Sequence, residues 1–236
     1  MPPLTLDALH LWWLPLPLPS AHLDRLAGCL APDEEQRASA YSLPAVRHCY
    51  VACRSVLRNL LARYLETDPD KIEFAYSDHG KPRLAGRTAE TGVEFNVSHT
   101  DGLAVVGIGR RRPLGVDIER LRDLSDMDGL IRRYFAPAEQ EALGGRTASA
   151  LRRSFFEIWT RKEAVMKALG VGLSLAPEKI TVTVGSTSRP QLIALRGRSV
   201  PPGEWFLHST DPASDYVASV AVPGGEARVQ QYWWRA

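Results

Sequence analysis

The chain has little of several features that would place it quickly in a class of proteins. No apolar run approaches the ~20 residues that a membrane-spanning helix needs. The formal net charge is +2, without the strong basic excess typical of nucleic-acid-binding domains. The three cysteines form no CxxC pair and leave one unpaired, which favours a reducing compartment. We therefore expect a cytoplasmic protein with neither nucleic acid nor membrane as a partner.

The order of hydrophobic patterns along the 236 residues predicts a mixed fold of helices and strands. Amphipathic helical patterns cover residues 45–66 and 148–169, and each follows a strand pattern and precedes several short strands. This repeated order predicts an α+β fold of two similar lobes related by a pseudo-two-fold axis, each with a long helix on a mostly antiparallel sheet. The polar segment 110–113 ends in proline and predicts lobes 1–112 and 113–236, with a site at their interface.

Three carboxylates and one lysine form the strongest chemical signal. Glu163 and Lys167 are four residues apart, so they share one face of the second long helix. Asp117 and Glu119 are two residues apart at the end of a predicted strand and also point the same way. Such a set suits Mg²⁺ bound to phosphate, whereas no His/Cys cluster has zinc-ligand spacing. The alternatives are a surface ion pair and a solvent-facing strand end.

Several basic side chains are candidates for contacts with anions. Lys81 lies in a Gly-Lys-Pro turn, and His99 follows a predicted strand. Arg47 and Arg54 are seven residues apart on one helix face, where they could grip a remote phosphate group. A surface lysine, a structural histidine and a solvated arginine stripe are the respective alternatives. Lys162 points about 100° away from the acidic face of its helix and is interpreted as a surface residue.

Four ordered motifs resemble those of the Sfp-type 4'-phosphopantetheinyl transferases. Each motif is weak alone, but their order and spacing match the family over roughly residues 37–174. The motifs are Gly80-Lys81-Pro82, Phe95–His99, Gly115–Glu119 and Trp159–Leu173.

The resemblance implies a monomer that transfers phosphopantetheine from coenzyme A to a serine of an apo acyl- or peptidyl-carrier protein and releases 3',5'-ADP. It implies that Asp117, Glu119 and Glu163 hold Mg²⁺ on the pyrophosphate of coenzyme A. Glu163 would also be the base that activates the serine, and Lys167 would stabilise the leaving phosphate. The residues implied for coenzyme binding are Arg37, Arg47, Arg54, Lys81, Ser98 and His99.

The chain departs from the family pattern at one place in the first long helix. The family usually has an arginine there, and the register puts that position near Cys49 or Tyr50. Either Arg47 or Arg54 replaces it, or the 3'-phosphate is held mainly by Arg37 together with Lys81 and His99.

An acidic helical carrier protein is the partner that the resemblance implies. Basic residues of the second lobe could steer it, although the same residues could be ordinary solvated surface; they are Arg120, Arg122, Arg132, Arg133, Arg152 and Arg153. Two other functions stay open: a non-catalytic relative that binds coenzyme A or a carrier protein, and a Mg²⁺-dependent phosphohydrolase.

Overall fold

The computed structural model describes residues 3–185 and 189–235. The first half contains β1 (Ala8–Pro15), α1 (Ser20–Ala27), α2 (Pro32–Ser39), α3 (Pro44–Leu65), β2 (Phe74–Tyr76), β3 (Pro82–Leu84), β4 (Val93–Thr100) and β5 (Leu103–Arg110). The second half contains β6 (Gly115–Arg120), α4 (Met127–Tyr134), α5 (Pro137–Leu143), α6 (Ala148–Leu169), β7 (Ile180–Val182), β8 (Leu192–Leu195), β9 (Arg198–Ser199), β10 (Trp205–Thr210), β11 (Tyr216–Pro223) and β12 (Arg228–Trp233). Among these described helices, none is long and apolar enough to cross a membrane.

Two sheets lie face to face between the two long helices. One has the strand order β12-β1-β5-β4 and the other the order β10-β11-β6. Successive side chains of a strand point to opposite faces. In β1, Trp12 and Leu14 accordingly pack with α3, whereas Leu11 and Trp13 pack against the other sheet. The result is four layers: α3, the first sheet, the second sheet and α6.

The predicted α+β class is confirmed, and both long helices begin and end within one residue of their predicted bounds. Proline is the first residue of α3, where it leaves no backbone hydrogen bond unmade. Gly170 ends α6 with φ +67°, a conformation that glycine adopts without strain. The last strand, β12, pairs in parallel with β1, so residues beyond the predicted boundary at 112 complete the first sheet. That boundary itself stays a prediction.

The two sheets meet where β4 approaches β6, and polar side chains of β4 make the connection. The Asn96 side-chain oxygen accepts a hydrogen bond from the Val116 backbone N–H at 2.9 Å. The Thr100 hydroxyl accepts one from the Arg120 backbone N–H at 3.3 Å. Both bonds satisfy backbone groups of β6 at its otherwise free edge. They fix the position of the strand that carries the predicted acidic residues.

Gly115 allows α6 to lie unusually close to β6. A Cβ atom at this position would come within 2.0 Å of the Ala164 carbonyl oxygen and 2.4 Å of the Ala168 nitrogen. These distances are far below contact distance and involve helix backbone, which cannot move aside cheaply. The absence of a side chain at residue 115 therefore sets how closely the acidic strand and the second long helix approach.

Lys162 is buried, so its interpretation as a surface residue is wrong. Its side chain is 0% exposed, and its ammonium lies 2.6 Å from the carboxylate of Glu139. The backbone oxygens of Tyr134 and Pro177 accept hydrogen bonds from the same ammonium at 3.0 and 3.1 Å. Helical periodicity correctly predicted that Lys162 points away from Glu163 and Lys167. It could not predict that α5 places the acidic partner Glu139 on that side of the helix.

Breaking this buried pair should strongly destabilise the protein. In Glu139→Gln, the buried ammonium loses its counter-charge, which typically lowers the free energy of unfolding by about 3–5 kcal/mol. The double variant Glu139→Gln/Lys162→Met should lose less, because no uncompensated charge remains. Urea unfolding measures the stability of both variants, and Glu141→Gln, an exposed position on the same helix, is the control. Equal midpoints for the Glu139 and Glu141 variants would contradict the assignment.

Candidate active site

A buried cluster forms where β4, β6 and α6 come together. The Asp117 side chain on β6 is 7% exposed. Its Oδ1 accepts hydrogen bonds from the Lys167 Nζ of α6 at 2.7 Å and from the Ser98 Oγ of β4 at 2.8 Å. The Lys167 Nζ also donates to the Ser98 Oγ at 2.9 Å. Three residues from three elements are thus bonded to one another in a closed triangle, which we call the Asp117 cluster.

The acids around the Asp117 cluster, Glu119 and Glu163, add more negative charge than Lys167 can neutralise. No described atom donates a hydrogen bond to the second oxygen of Asp117, although this Oδ2 is buried. The pKa of Glu163 is raised, first by burial and then by the negative charge of Asp117 and, less, of Glu119, against the opposing effect of Lys167. Glu119 itself is paired with Arg122 at 2.7 Å. Asp117 and Glu119 therefore both act on Glu163, in a site short of positive charge.

The cluster fits a divalent cation only in part. Within the described residues, no three His, Cys, Asp or Glu side chains are arranged as a complete metal-binding group. The unpaired Asp117 oxygen and the raised pKa of Glu163 nevertheless mark a place where a cation would be favourable. Mg²⁺ commonly uses one or two carboxylates and takes its other ligands from water and phosphate. The residues present suit that kind of shared site.

A cavity of about 610 Å³ adjoins the cluster on the α3 side of β4. This volume lies in the range of small-molecule sites. His99 and Thr100 of β4 line the cavity, and the Thr100 hydroxyl also lies 3.5 Å from Glu119. A ligand in the cavity would therefore come close to Glu119 where the cavity reaches Thr100.

The α3 wall of the cavity contains hydrogen-bond donors that the protein leaves unused. The Arg54 guanidinium lies 3.5 Å from the Glu34 carboxylate and 5.2 Å from the centre of the Phe74 ring. No described atom accepts a hydrogen bond from its buried Nη1, and the Tyr50 hydroxyl is likewise buried without a described partner. Arg37 lies across the Tyr50 ring at 5.7 Å. Buried donors of this kind are costly unless a ligand accepts from them.

His99 is held near the cavity in a state that favours its positive charge. The neighbouring Cys49 thiol raises the pKa of His99 most, by hydrogen bonding, whereas burial and the Lys167 ammonium act in the opposite direction. A protonated imidazole donates from both ring nitrogens. The guanidinium groups of Arg37 and Arg54, together with His99, whose pKa is raised, form what we call the cationic wall of the cavity.

The structure brings most of the predicted site residues together, but not Arg47 and Lys81. Arg47 is exposed and lines a separate groove between α1, α2 and α3. It shares a helix face with Arg54, but seven residues separate the two by about 10 Å along the axis. The Lys81 ammonium donates to the Leu114 and Lys167 backbone oxygens at 3.0 and 2.7 Å, and not into the cavity.

Sequence reasoning missed Asn96, Thr100 and Tyr50. The first two had a usable signal, since polar residues alternate with Phe95 and Val97 along β4. Such alternation predicts one apolar and one polar face. Here the polar face meets β6 instead of solvent. Tyr50 gave no signal, because a helical tyrosine is common in cores and at surfaces alike.

Comparison with known proteins shows the family of the chain. Residues 113–221 match the model of the 4'-phosphopantetheinyl transferase superfamily, and residues 13–109 match that of the 4'-phosphopantetheinyl transferase N-terminal domain. The 4'-phosphopantetheinyl transferase HetI of Nostoc sp. is 38% identical over 225 residues, which cover 94% of this chain and 92% of that protein. Sfp of Bacillus subtilis, another 4'-phosphopantetheinyl transferase, is 24% identical over 70% of this chain and 71% of its own. The chain belongs to the 4'-phosphopantetheinyl transferase family.

Among solved structures, a holo-(acyl-carrier-protein) synthase of Bacillus anthracis in complex with CoA (3',5'-ADP) is similar. It is 21% identical with a TM-score of 0.40, and the match covers 48% of this chain and 96% of that one.

Replacing Glu163 by glutamine should stabilise the fold near neutral pH. The folded-state pKa of Glu163 lies above its unfolded value of 4.5, so above that folded-state pKa the ionised group opposes folding. Glu163→Gln removes this penalty. The free energy of unfolding should rise by about 0.5–2 kcal/mol, the usual gain from a single stabilising substitution. The gain should shrink as the pH falls through the folded pKa and vanish below 4.5, where both states are protonated.

Thermal unfolding from pH 4 to pH 8 measures this difference, with the exposed Glu35→Gln as control. A Glu163 variant less stable than the parent protein at pH 7 would show that the acids do not repel one another in this site.

Proposed function

We propose that this protein transfers the 4'-phosphopantetheine group of coenzyme A to a serine of an apo acyl- or peptidyl-carrier protein and releases 3',5'-ADP. The observation that carries the proposal is the Asp117 cluster, with Glu163 acting on the same charges, across strand β4 from a cavity with a cationic wall. Phosphoryl transfer needs this combination: anchors for the remote phosphate, and charged groups at the phosphorus that reacts. Membership of the family supports it.

The cavity would bind the nucleotide end of coenzyme A. We assign the 3'-phosphate to the cationic wall formed by Arg37, Arg54 and His99, because Arg54 has a buried donor without a described partner. Guanidinium groups bind phosphate through paired N–H donors. Arg47 lies too far away, so Arg54 takes the place of the arginine that the family usually has nearby. Ser98 lies behind the cavity and orients Asp117 and Lys167.

Asp117, Glu119 and Glu163 would hold Mg²⁺ at the pyrophosphate. The ion would supply positive charge where the transferred and leaving phosphates carry the most negative charge. Lys167 has three N–H donors and uses two of them for Ser98 and Asp117. The third is available for an oxygen of the leaving phosphate, whose developing charge it would stabilise.

Glu163 is the proposed base for the carrier serine. A general base works best when its pKa lies near the working pH. Burial and the neighbouring acids raise the pKa of Glu163 and so move it in that direction. The serine hydroxyl would attack the β-phosphorus while its proton passes to the Glu163 carboxylate, directly or through water.

The carrier protein would dock near α4. Of the six basic residues predicted for docking, Arg120, Arg122, Arg152 and Arg153 pair with acids of this chain. Arg132 and Arg133 are exposed on α4, which we propose as the basic surface that steers an acidic carrier.

We further propose that lobes 1–112 and 113–236 act as a cytoplasmic monomer with the active site between them. The chain already contains two long helices, and each packs on a sheet of three or four strands, so a second copy is not needed to build the interface. Its three free cysteines are compatible with a reducing compartment.

Mass spectrometry of apo carrier proteins tests the function directly. The purified protein is incubated with coenzyme A, Mg²⁺ and a panel of fatty-acid, polyketide and peptide carriers. Addition of one phosphopantetheine group per carrier and release of 3',5'-ADP are expected. Breakdown of coenzyme A without any carrier would identify a phosphohydrolase, and binding without transfer would identify a non-catalytic relative.

Lys167→Ala should slow transfer much more than it weakens coenzyme binding. Loss of one charge-stabilising group lowers kcat by about 10²–10³. Single-turnover carrier loading measures the rate, and isothermal titration measures the affinity for coenzyme A. The exposed Lys179→Ala serves as control. A variant with weakened binding and an unchanged rate would place Lys167 in binding rather than at the leaving group.

His99→Ala should discriminate between two forms of the coenzyme. Removing a contact to the 3'-phosphate weakens the binding of coenzyme A. The binding of 3'-dephospho-coenzyme A stays unaffected, because that molecule has no 3'-phosphate. A hydrogen bond to a charged group typically contributes about 1.5–3 kcal/mol, or roughly 10- to 150-fold in affinity. Competition titrations with both molecules measure the difference. Equal losses for the two would remove His99 from the 3'-phosphate site.

A further inference from the structure

We propose that Lys81 is a positioning residue that holds α6, the helix of Glu163 and Lys167, against β6, the strand of Asp117 and Glu119. Its side chain does not bind coenzyme A. The inference rests on the proposed function. Lys81 lies in the turn before β3, in the first half of the chain, and its side chain reaches into the second half. Its ammonium donates to the Leu114 carbonyl at 3.0 Å, to the Lys167 carbonyl at 2.7 Å, and to the Ala168 carbonyl at 3.5 Å.

Each acceptor belongs to an element that carries proposed active-site groups. The Leu114 carbonyl directly precedes β6, the strand of Asp117 and Glu119. The Lys167 and Ala168 carbonyls are in the last turn of α6, the helix of Glu163. One ammonium therefore ties the beginning of the strand to the end of the helix, next to the point where Gly115 brings the two closest together.

The chemistry of these acceptors explains why a lysine is suited to the position. The last carbonyls of a helix have no intrahelical partner and carry partial negative charge, so a cation there is favourable. Three carbonyls also match the three N–H donors of an ammonium. With all three donors used inside the protein, Lys81 has none left for a phosphate.

The ammonium is also poorly placed to act as a ligand of the cavity. Gly80 and Pro82 line the cavity on either side of Lys81, whose own side chain extends away towards α6. The Lys81 side chain is half-buried, and this burial lowers the pKa of its ammonium. The Cδ of Lys81 lies 3.8 Å from a Cβ built at Gly170, so its aliphatic chain covers the end of α6.

The expected consequence is a rate effect without a binding effect. The carbonyl that Lys81 holds belongs to Lys167, whose own ammonium bonds to Asp117 and Ser98. Displacement of a catalytic group by about 1 Å can lower a rate about 10²-fold. Loss of the Lys81 bonds should therefore disturb the Asp117 cluster but leave the cationic wall of the cavity intact.

Three variants test the proposal. Lys81→Met keeps the aliphatic chain but loses the donors, Lys81→Gln keeps two donors, and Arg83→Met removes an exposed charge from the neighbouring strand. For Lys81→Met we expect kcat for carrier loading to fall about 10- to 100-fold, with the Kd for coenzyme A within about twofold of the parent protein. Lys81→Gln should recover part of the rate, and Arg83→Met should keep the parent values.

Hydrogen exchange gives a readout that does not depend on activity. Backbone amides at the end of α6 and the start of β6 should exchange faster in Lys81→Met, but not in Arg83→Met, because local opening becomes easier. A weakened Kd for coenzyme A with an unchanged rate would overturn the proposal, as would unchanged exchange. If Lys81→Met does not fold, Lys81→Gln carries the same comparisons. If the parent protein loads no carrier, the proposed function fails, and the exchange and coenzyme titrations still decide the role of Lys81.

Discussion

The close contact between α6 and β6 is the constraint on which the site depends. Only a residue without a side chain fits at position 115, because the helix backbone would lie 2.0 Å from a Cβ atom there. At this separation the Lys167 ammonium reaches the Asp117 carboxylate at 2.7 Å, and Ser98 closes the triangle. A wider spacing would leave Asp117 buried without any counter-charge, a state that costs several kcal/mol.

Buried charges serve two different purposes in this molecule. The Lys162 ammonium is bonded to Glu139 and to two backbone oxygens. Because all its hydrogen bonds are made within the protein, this group stabilises the fold and has no donor left for a ligand. The Asp117 and Arg54 side chains, by contrast, each bury an atom without a described partner. Unsatisfied buried groups lower stability. If a ligand completes the bonding of Asp117 and Arg54, as we propose, their cost in stability is linked to activity.

The sequence predicted the directions in which side chains point better than it predicted the residues that those side chains contact. Periodicity placed both long helices within one residue of their bounds and put Glu163 and Lys167 on one face. It could not show that α5 would supply Glu139 to Lys162, or that Lys81 would meet the carbonyls at the end of α6. These contacts join segments 23 and 86 residues apart. Helical periodicity and strand alternation predict which way the side chains of one element point. Tertiary packing decides which residues of other elements those side chains meet.

Strand β4 explains how the cavity and the acidic residues can belong to different halves of the chain and still lie next to each other. Neighbouring residues of a strand point to opposite faces. Val97 and His99 face α3 and the cavity, whereas Ser98 faces β6 and bonds to Asp117. Thr100, the last residue of the strand, lines the cavity and also lies 3.5 Å from Glu119. One strand thus forms the wall between the two sites and contributes side chains to both. A ligand that reached across the end of β4 would contact both halves at once, and its geometry would be fixed by the hydrogen bonds that hold β4 against β6.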